Sequence, residues 1–317
     1  MARLVLKFGG TSMADPERIA ASAAIAAHEA GNGHQIAVVV SAMAGETDRY
    51  LSCAQALGGG LGEVETDTAL AAGEQAASAL MALALKEKGL QARSILAWQL
   101  PMEADGAAGT ARITAINPAL LEACLEEGVI PVVAGFQGIS PDGRLVTLGR
   151  GGTDLSAAAI AAAIGADCDI YTDVDGVFTT DPRIEPSARR VARISHDEML
   201  ELAAMGAKVL QTRSVEYAKA KGVALSVKSS FAPPGMSAGT EVVAGSALAE
   251  RRVVSGIAYT RAQARIAVPG LEDSNAAPAG VFAALAEAGV HVDMIVQGRA
   301  RSGGHNLEFS VDGRDLK

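Results

Sequence analysis

Two pairs of adjacent glycines, each close to charged side chains, are the features of this sequence that most suggest chemistry. The first pair lies in KFGGTS at positions 7–12, directly after a short apolar run. Glycines let backbone N–H groups approach a phosphate closely, and Lys7 supplies a compact positive charge. The segment has neither Walker A nor GxGxxG spacing. Taken alone, an ordinary tight turn explains it at least as well.

The second pair lies in TLGRGGTD at positions 147–154, at the start of an alanine-rich helical stretch. These glycines would leave free N–H groups at a helix N-terminus, and Arg150 could hold a carboxylate through two hydrogen bonds. The alternative is that Asp154 is the N-cap of that helix and Arg150 is solvated. The two segments support each other as parts of an anion-binding site.

A third polar segment, YTDVDGVFTTDPR at positions 171–183, begins as a strand and continues into a turn. Its aspartates could bind ribose hydroxyls, and Arg183 could bind a phosphate. Asp-Gly and Asp-Pro are also routine turn sequences, so the segment alone is equally well a loop without function.

Two more segments could recognise a small charged substrate. SAMAGETD at positions 41–48 contributes the hydroxyl of Thr47, and AAGEQ at positions 71–75 contributes Glu74. Glu74 could pair with an ammonium group, or it could be an acid favoured by the dipole at a helix start. Lys208 follows a glycine near the end of a helical run, where a surface lysine is as good an explanation as a functional one.

The elements that must position these segments follow a regular rhythm. Short apolar runs expected to be strands include 4–7, 36–41, 129–135 and 170–174, and the stretches expected to be helices include 16–29, 66–88, 154–164 and 195–210. Asp15-Pro16 and Ser195 to Glu198 are typical helix starts. The alternation predicts an α/β fold with a mainly parallel sheet between helices.

A change of composition predicts where the first domain ends. Positions 230–249 are rich in Pro, Gly, Ser and Ala, which interrupt regular structure. We therefore expect one domain over 1–245 and a second segment over 246–317 with strand 265–268, helix 278–288 and strands 290–296 and 306–311. One helix on a small sheet buries little surface, so this segment should need another part of the protein or another subunit.

Charge and composition exclude several classes of function. The 317 residues carry a formal net charge of -9 with a pI near 5.1, which argues against nucleic acid or an anionic membrane as partner. The N-terminus has no apolar run long enough for a secretory signal, and the apolar stretch 156–166 is shorter than the roughly 20 residues of a membrane span. Cys53, Cys124 and Cys168 are expected to be buried thiols in a reducing cytoplasm.

Six segments in order, KFGGTS, SAMAGETD, AAGEQ, TLGRGGTD, YTDVDGVFTTDPR and MGAKVLQTRS, resemble the aspartokinase family of the amino acid kinase superfamily. The resemblance covers about residues 3–312. It implies an amino acid kinase fold followed by a partial ACT-like α+β segment. It also implies MgATP-dependent phosphorylation of the β-carboxylate of L-aspartate to 4-phospho-L-aspartate, the first step in the biosynthesis of lysine, threonine and methionine.

The resemblance also implies a role for each matching residue. Lys7, Asp154 and Lys208 would be catalytic, with both lysines stabilising charge on the phosphoryl oxygens. The aspartate site would comprise Thr47, Glu74, Arg150, Gly151 and Gly152. The ATP site would comprise Lys7, Phe8, Gly9, Gly10, Ser41, Thr172, Asp173, Asp181, Arg183 and Lys208. ATP would bring Mg²⁺, held by phosphates and water rather than by named protein ligands.

The expected chemistry needs no general base. The acceptor carboxylate is already ionised at pH 7, and phosphoryl transfer depends mainly on alignment and charge neutralisation. None of the five histidines falls in a matching segment, so His28, His34, His196, His291 and His305 are expected to be surface or capping residues.

Two departures from the family pattern affect what the resemblance implies. Gln75 stands where the family often has arginine, and the sequence 272–278 departs from the usual effector turn. Paired ACT modules commonly form a homodimer and bind lysine or threonine, whereas this segment holds only part of one module. We therefore expect weakened or absent feedback inhibition, and a homo-oligomer only where the C-terminal region is complete.

Two other functions remain open from sequence alone. Another amino acid kinase, acting on glutamate, acetylglutamate or UMP, would share the fold, although SAMAGETD and AAGEQ favour aspartate. A non-catalytic effector-binding protein is also possible in principle. The presence of Lys7, Arg150, Asp154 and Lys208 argues against it, since a sensor has no use for two phosphate lysines.

Overall fold

The computed structural model describes residues 2–207, 209–247, 254–259, 263–272, 276–290, 292–299 and 304–316. They form two compact units, Met1–Ala258 and Tyr259–Lys317. This division falls later in the chain than the boundary expected at residue 245. The assignment of the two units as catalytic and regulatory domains stays a prediction.

The first unit alternates strands and helices, as the sequence pattern predicts. In chain order it contains β1 (Arg3–Phe8), α1 (Pro16–Gly31), β2 (Gln35–Val40), α2 (Glu46–Ala56), α3 (Val64–Glu87), β3 (Ala92–Ile95), β4 (Met102–Asp105), β5 (Arg112–Ile116), α4 (Ala119–Glu126), β6 (Ile130–Ala134), β7 (Gln137–Ile139), β8 (Leu145–Thr147), α5 (Gly152–Ile164), β9 (Asp167–Thr172), β10 (Arg193–Ser195), α6 (His196–Ala204), α7 (Thr212–Lys221), β11 (Leu225–Ser229) and β12 (Thr240–Val243).

An eight-stranded sheet forms the centre of this unit, with strand order β10-β12-β11-β9-β1-β2-β6-β3. The six strands from β11 to β3 are parallel, and β12 runs antiparallel to β11. The α/β fold with a mainly parallel sheet is therefore confirmed. Because β1 lies inside the sheet between β2 and β9, the segment that follows it emerges near the middle of this unit.

Alternation along β1 sends successive side chains to opposite layers of helices. Leu6 and Phe8 lie in a core cluster with residues of α1 and α3, and Val5 lies in another with residues of α5 and α7. Lys7 follows the same alternation as Val5, so its ammonium faces the α5 layer. Strand β1 thus contributes to the hydrophobic core and, through Lys7, places a positive charge beside α5.

A second sheet has the order β5-β4-β7-β8, and β8 packs against α3. The sequence pattern predicts neither helices α2, α4 and α7, nor strands β3, β10, β11 and β12 of the central sheet, nor the strands of this second sheet. Its strands are only three to five residues long, so each carries too few alternating positions to be recognised. Its importance is that β8 ends at Thr147, immediately before the second glycine pair.

Two predicted helix starts are confirmed, and one predicted helix end is wrong. Asp15 caps α1 by accepting the Arg18 N–H at 2.7 Å, and Ser195 forms a capping box with Glu198. The helix expected over 195–210 ends at Ala204 instead. Gly206 has φ of 109°, a conformation that terminates the helix.

Two predictions about burial were wrong. Cys53 is exposed on α2, whereas Cys124 and Cys168 are buried as expected. His196 is buried rather than on the surface, with its Nε2 atom 3.2 Å from the Val223 carbonyl oxygen. In both cases the position within the helix, rather than the residue type, decides exposure. His291 lies outside the described residues.

Among the described helices, α3 is the one long and apolar enough to cross a membrane by length and composition. Half of its most apolar window is buried inside the protein. Its buried residues include Asp67 and Glu74. Core helices pass the same test, so this is weak evidence for a membrane span.

The second unit contains the predicted order of strand, helix and two strands. Its elements are β13 (Gln263–Leu271), α8 (Ala276–Glu287), β14 (Val292–Arg299) and β15 (His305–Asp312). They form an antiparallel sheet of order β13-β15-β14, with Leu307, Phe309 and Val311 of β15 buried. This architecture fits the ACT-like segment. The departing effector turn falls partly on residues 273–275, which lie outside the described residues.

Candidate active site

The carboxyl ends of the central strands bring the first glycine pair against two other predicted segments. The Gly9 N–H donates to the Tyr171 carbonyl at the end of β9 (3.3 Å), and the Ser41 N–H donates to the Phe8 carbonyl (3.0 Å). The rings of Phe8 and Tyr171 stack with centroids 5.0 Å apart. Residues 9–12, here called the glycine loop, therefore lie between the loops that follow β2 and β9.

Side-chain hydrogen bonds fix the far end of the glycine loop. Ser12 is fully buried, and its hydroxyl donates to the Ser230 hydroxyl at 2.7 Å. The Ser230 N–H donates to the Thr172 carbonyl at 2.8 Å, and Arg18 Nη2 donates to the Ser230 carbonyl at 2.6 Å. The glycine loop is thus held to the ends of β9 and β11 by a buried network, which pre-organises its backbone N–H groups.

Lys7 and Asp154 form a buried ion pair at the start of α5. Lys7 Nζ lies 2.6 Å from Asp154 Oδ1, and each side chain is 10% exposed. A Cβ atom placed on Gly9 would lie 3.2 Å from Lys7 Nζ, so glycine leaves the ammonium room beside the loop. The pair joins the two glycine-pair segments directly and fixes the direction of the lysine.

Ala42 is the point at which three segments approach each other. A Cβ atom on Gly10 would lie 3.4 Å from the Ala42 carbonyl oxygen, and one on Gly73 would lie 2.7 Å from Ala42 Cβ. The second distance is too short for any side chain. Gly73 is therefore required for α3 to pack against the loop after β2, and this packing brings Glu74 into the site.

Glu74 is a buried carboxyl group with unused hydrogen-bonding capacity. It is 3% exposed, and its Oε2 atom is buried without a hydrogen-bond partner. Burial raises the pKa of Glu74 to about 7, an effect partly offset by a backbone hydrogen bond from Ala42. A buried oxygen without a partner is costly, so Glu74 is suited to receive a cationic donor from a bound molecule.

The second glycine pair forms the N-terminus of α5. Gly151 is the N-cap with φ of 73°, and no side chain caps the helix. Asp154 therefore lies in the first turn and is not the N-cap, contrary to the alternative considered from sequence. Arg150 is exposed, and it makes no ion pair within the described residues. The arrangement offers helix N–H groups and a guanidinium next to the Lys7–Asp154 pair.

The loop after β9 carries the residues predicted to contact nucleotide. The Thr172 hydroxyl donates to Asp173 Oδ1 at 3.2 Å, and Asp173 is exposed. Farther along, Arg183 Nη2 lies 2.7 Å from Asp181 Oδ2, and the hydrogen bond from Arg183 lowers the pKa of Asp181. Thr172 and Asp173 thus lie next to the glycine loop, whereas Asp181 and Arg183 are paired with each other.

Thr47 and Lys208 are the two remaining residues predicted for the site. Thr47 lies in the first turn of α2 and is half-buried, following Gly45 with φ of 83°. Lys208 lies outside the described residues. Within the described part of the chain, no group of three or more His, Cys, Asp or Glu side chains could hold a metal ion.

Sequence reasoning missed three residues that shape this site. Asp67 and Arg213 hydrogen-bond to the backbone around the second glycine pair. Phe136 has φ of 70°, a strained conformation for a bulky residue, and its N–H donates to the Ser156 hydroxyl at 3.1 Å. Arg213 falls within a segment that carries the family resemblance. Nothing in the local sequence singled out the other two.

Comparison with known proteins agrees with this architecture. The model of the amino acid kinase family matches residues 2–229. An aspartokinase from Thermus thermophilus is 45% identical over 299 residues, covering 94% of this chain and 73% of that protein.

Solved structures give the same result. E. coli aspartokinase III in complex with aspartate and ADP has a TM-score of 0.74 at 27% identity, covering 98% of this chain and 78% of that one. The same enzyme in complex with lysine and aspartate has a TM-score of 0.75 at 26% identity, covering 98% and 79%. By sequence and by fold, this chain belongs to the amino acid kinase family and, within it, to the aspartokinases.

Proposed function

We propose that the site around Lys7, Glu74 and Arg150 transfers the γ-phosphoryl group of ATP to the β-carboxylate of L-aspartate. One carboxylate oxygen forms the new bond to phosphorus, the bond from phosphorus to the β,γ-bridging oxygen breaks, and ADP leaves with that oxygen. The observation that supports this most directly is the Lys7–Asp154 ion pair, held at 2.6 Å between two glycine-pair segments. Aspartate kinase activity itself follows from membership of the family.

Aspartate would be held through its two α-substituents. Glu74, with its partnerless buried Oε2, pairs with the α-ammonium, and Arg150 grips the α-carboxylate. Gly151 adds an N–H group, and Gly152, whose N–H donates to the Gly149 carbonyl at 2.9 Å, lets the backbone approach the substrate closely. Thr47 orients the β-carboxylate. An ionised Glu74 is favoured by the arriving ammonium, which opposes the effect of burial on its pKa.

ATP would bind at the glycine loop and the loop after β9. Phe8, Gly9, Gly10 and Ser41 lie beside the phosphates, and Lys7 stabilises charge on the transferred group, with Asp154 fixing its direction. Thr172, Asp173, Asp181 and Arg183 contact the nucleotide, which requires Arg183 to release part of its contact with Asp181. Lys208 is assigned a second phosphate contact on the family resemblance alone.

Mg²⁺ would accompany ATP and neutralise charge on its phosphates. Within the described residues no cluster of three acidic, His or Cys groups lies ready for it. Phosphate oxygens and water are therefore its proposed ligands. Asp154 is engaged by Lys7 at 2.6 Å, so its proposed role is to position the lysine.

Regulation and location complete the proposal. E. coli aspartokinase III binds lysine in one of the matched structures, so lysine is the first effector to test, with threonine second. A cytoplasmic location, where ATP and reduced thiols are maintained, is part of the same proposal.

The test is an aspartate-dependent assay of ADP release in which hydroxylamine traps the acyl phosphate. Wild type should form the hydroxamate, and Lys7→Ala should lower kcat by about 10²-fold or more, with a smaller change in KM. Lys228→Ala is a matched control, because Lys228 forms a comparable 2.7 Å pair with the buried Asp169. Equal losses of kcat in both variants would contradict the role of Lys7.

A further inference from the structure

Asp67 is a fully buried carboxylate that holds the segment before the second glycine pair. It is 0% exposed on α3. Its Oδ2 atom accepts the Thr147 N–H at 2.6 Å and the Gly109 N–H at 2.8 Å, and its Oδ1 atom accepts the Thr147 hydroxyl at 2.9 Å. Three donors, two from the last residue of β8 and one from the segment between β4 and β5, therefore converge on one side chain.

Such a carboxylate is unusual in the interior. Within the described residues Asp67 makes no ion pair, and a buried charge is costly unless hydrogen bonds replace its hydration. Stability alone would be served as well by an apolar side chain in contact with an apolar loop. Two of the three hydrogen bonds instead fix the position of Thr147, three residues before Arg150, and the third ties Gly109 to the same carboxylate.

Asp67 and Glu74 lie on the same face of α3. They are seven residues apart in the sequence, which is two helical turns and about 10 Å along the axis. One turn of this face carries the carboxyl group proposed for the α-ammonium. The other holds the backbone that leads to the arginine proposed for the α-carboxylate.

Arg213 holds the same backbone from α7. Its Nη1 atom donates to the Leu148 carbonyl at 2.6 Å, and its Nη2 atom donates to the Ala111 carbonyl at 2.8 Å. Residues 148–151 are here called the Arg150 loop. The backbone at the start of this loop is thus held by Asp67 of α3 and by Arg213 of α7. The Arg150 side chain is exposed, whereas the backbone that leads to it is anchored at Thr147 and Leu148.

We infer that Asp67 is a positioning residue for aspartate binding: through Thr147 and Gly109 it sets the distance between Arg150 and Glu74. The inference rests on the roles proposed above for those two residues. Because Asp67 and Glu74 both belong to α3, this helix would set the spacing between the groups that bind the α-carboxylate and the α-ammonium. The site would therefore select substrates by the spacing of these two groups. Recognition of ATP, which uses the glycine loop, is independent of Asp67.

The test compares steady-state kinetics of Asp67→Ala, Asp67→Asn and wild type. Alanine removes all three hydrogen bonds. Asparagine can keep them, because its oxygen can accept both N–H groups while its Nδ2 donates to the Thr147 hydroxyl, which then accepts. We expect Asp67→Ala to raise KM for aspartate by about tenfold or more, with KM for ATP within about twofold of wild type. Asp67→Asn should have a KM for aspartate close to that of wild type.

A control separates positioning from general destabilisation. Leu121→Ala removes a fully buried side chain of α4, so it should lower Tm and leave both KM values near wild type. Assays are run well below the Tm of the least stable variant. If Asp67→Ala does not fold, Thr147→Val removes one of the three hydrogen bonds and should shift KM for aspartate in the same direction by a smaller factor.

Each outcome decides the matter. The inference is overturned if KM for aspartate is unchanged in Asp67→Ala, or in Thr147→Val where Asp67→Ala does not fold. It is also overturned if KM for ATP rises as much as KM for aspartate in Asp67→Ala, or if KM for aspartate rises as much in Leu121→Ala. Arg150→Ala and Glu74→Gln are measured in parallel. If neither raises KM for aspartate, the proposed substrate contacts fail; if both do and Asp67→Ala does not, only the inference about Asp67 fails.

Discussion

Lys7 Nζ lies 2.6 Å from Asp154 Oδ1, and both side chains are nine-tenths buried. Lys7 is the penultimate residue of β1, one of the two central strands of the sheet, and Asp154 lies in the first turn of α5. Taking both charges out of water costs several kcal/mol per ion, which their attraction only roughly offsets. The pair is therefore better explained by the direction it gives the lysine than by stability.

A double-mutant cycle on this pair tests that explanation. We expect Lys7→Met or Asp154→Leu alone to lower the free energy of unfolding by about 3–5 kcal/mol, because each leaves an unpaired buried charge. The double variant should lose less than either single variant. Urea unfolding measures all four proteins, and a double variant that loses the sum of the two single effects would show that the residues act independently.

The raised pKa of Glu74 predicts a pH dependence of stability in the absence of substrate. Its folded value of about 7 exceeds the ordinary 4.5, so between these values the folded protein binds more protons than the unfolded chain. The free energy of unfolding should therefore fall as pH rises from about 4.5 to about 7 and stay level above that. The whole effect is at most about 3 kcal/mol.

Glu74→Gln isolates this contribution, because glutamine does not titrate. Urea unfolding at pH 5 and pH 8 should show the variant gaining stability relative to wild type at the higher pH. Saturating aspartate should reduce that difference, since the bound ammonium favours the ionised carboxylate. A wild-type-to-variant difference that is the same at both pH values would contradict the raised pKa.

The two glycines at the ends of α5 offer a matched pair of substitutions. Gly151 and Gly165 both have positive φ, 73° and 63°. A Cβ atom at Gly151 would lie 1.9 Å from Gln211 Cγ, whereas at Gly165 it meets nothing within 4 Å. Gly165→Ala should therefore cost only the backbone strain of about 1–2 kcal/mol.

Gly151→Ala carries the same strain and must also displace the side chain of Gln211, the N-cap of α7, from the Arg150 loop. We expect it to raise KM for aspartate by about tenfold or more, with Gly165→Ala near wild type. Kinetics and thermal unfolding on both proteins give the comparison. Equal values of KM for aspartate in the two variants would mean that the Gln211 side chain changes position without displacing Arg150.

Four of the eight strands of the central sheet, β1, β2, β6 and β9, and the segments of the site could be predicted from the sequence because both depend on local patterns. Buried parallel strands such as β2 read as continuous apolar runs, and glycine pairs mark backbone that must approach something closely. Family resemblance then supplied the order of the segments. Of the residues assigned from them, Lys7, Ser41 and Thr172 lie at the carboxyl ends of the neighbouring strands β1, β2 and β9, whereas Glu74 lies within α3 and Asp154 in the first turn of α5. Lys208 lies outside the described residues, and the roles of all these residues stay predictions.

The features that could not be predicted depend on contacts between distant segments. Asp67 sits in a helical stretch like any exposed acid, and only the approach of residues 109 and 147 reveals its three hydrogen bonds. The strain at Phe136 has no sequence signal either, since φ is imposed by its surroundings. Cys53 was misjudged because residue type predicts burial only on average.

The hydrogen bond between Ser12 and Ser230 joins residues 218 positions apart. Closing so long a loop costs chain entropy before any contact is gained, and folds rich in such distant contacts form slowly. A growing chain therefore carries its glycine loop, made within the first dozen residues, without the partner that holds it until β11 has been synthesised. The glycine loop is thus among the first residues to be synthesised, but its contacts form only after most of the first unit has been made.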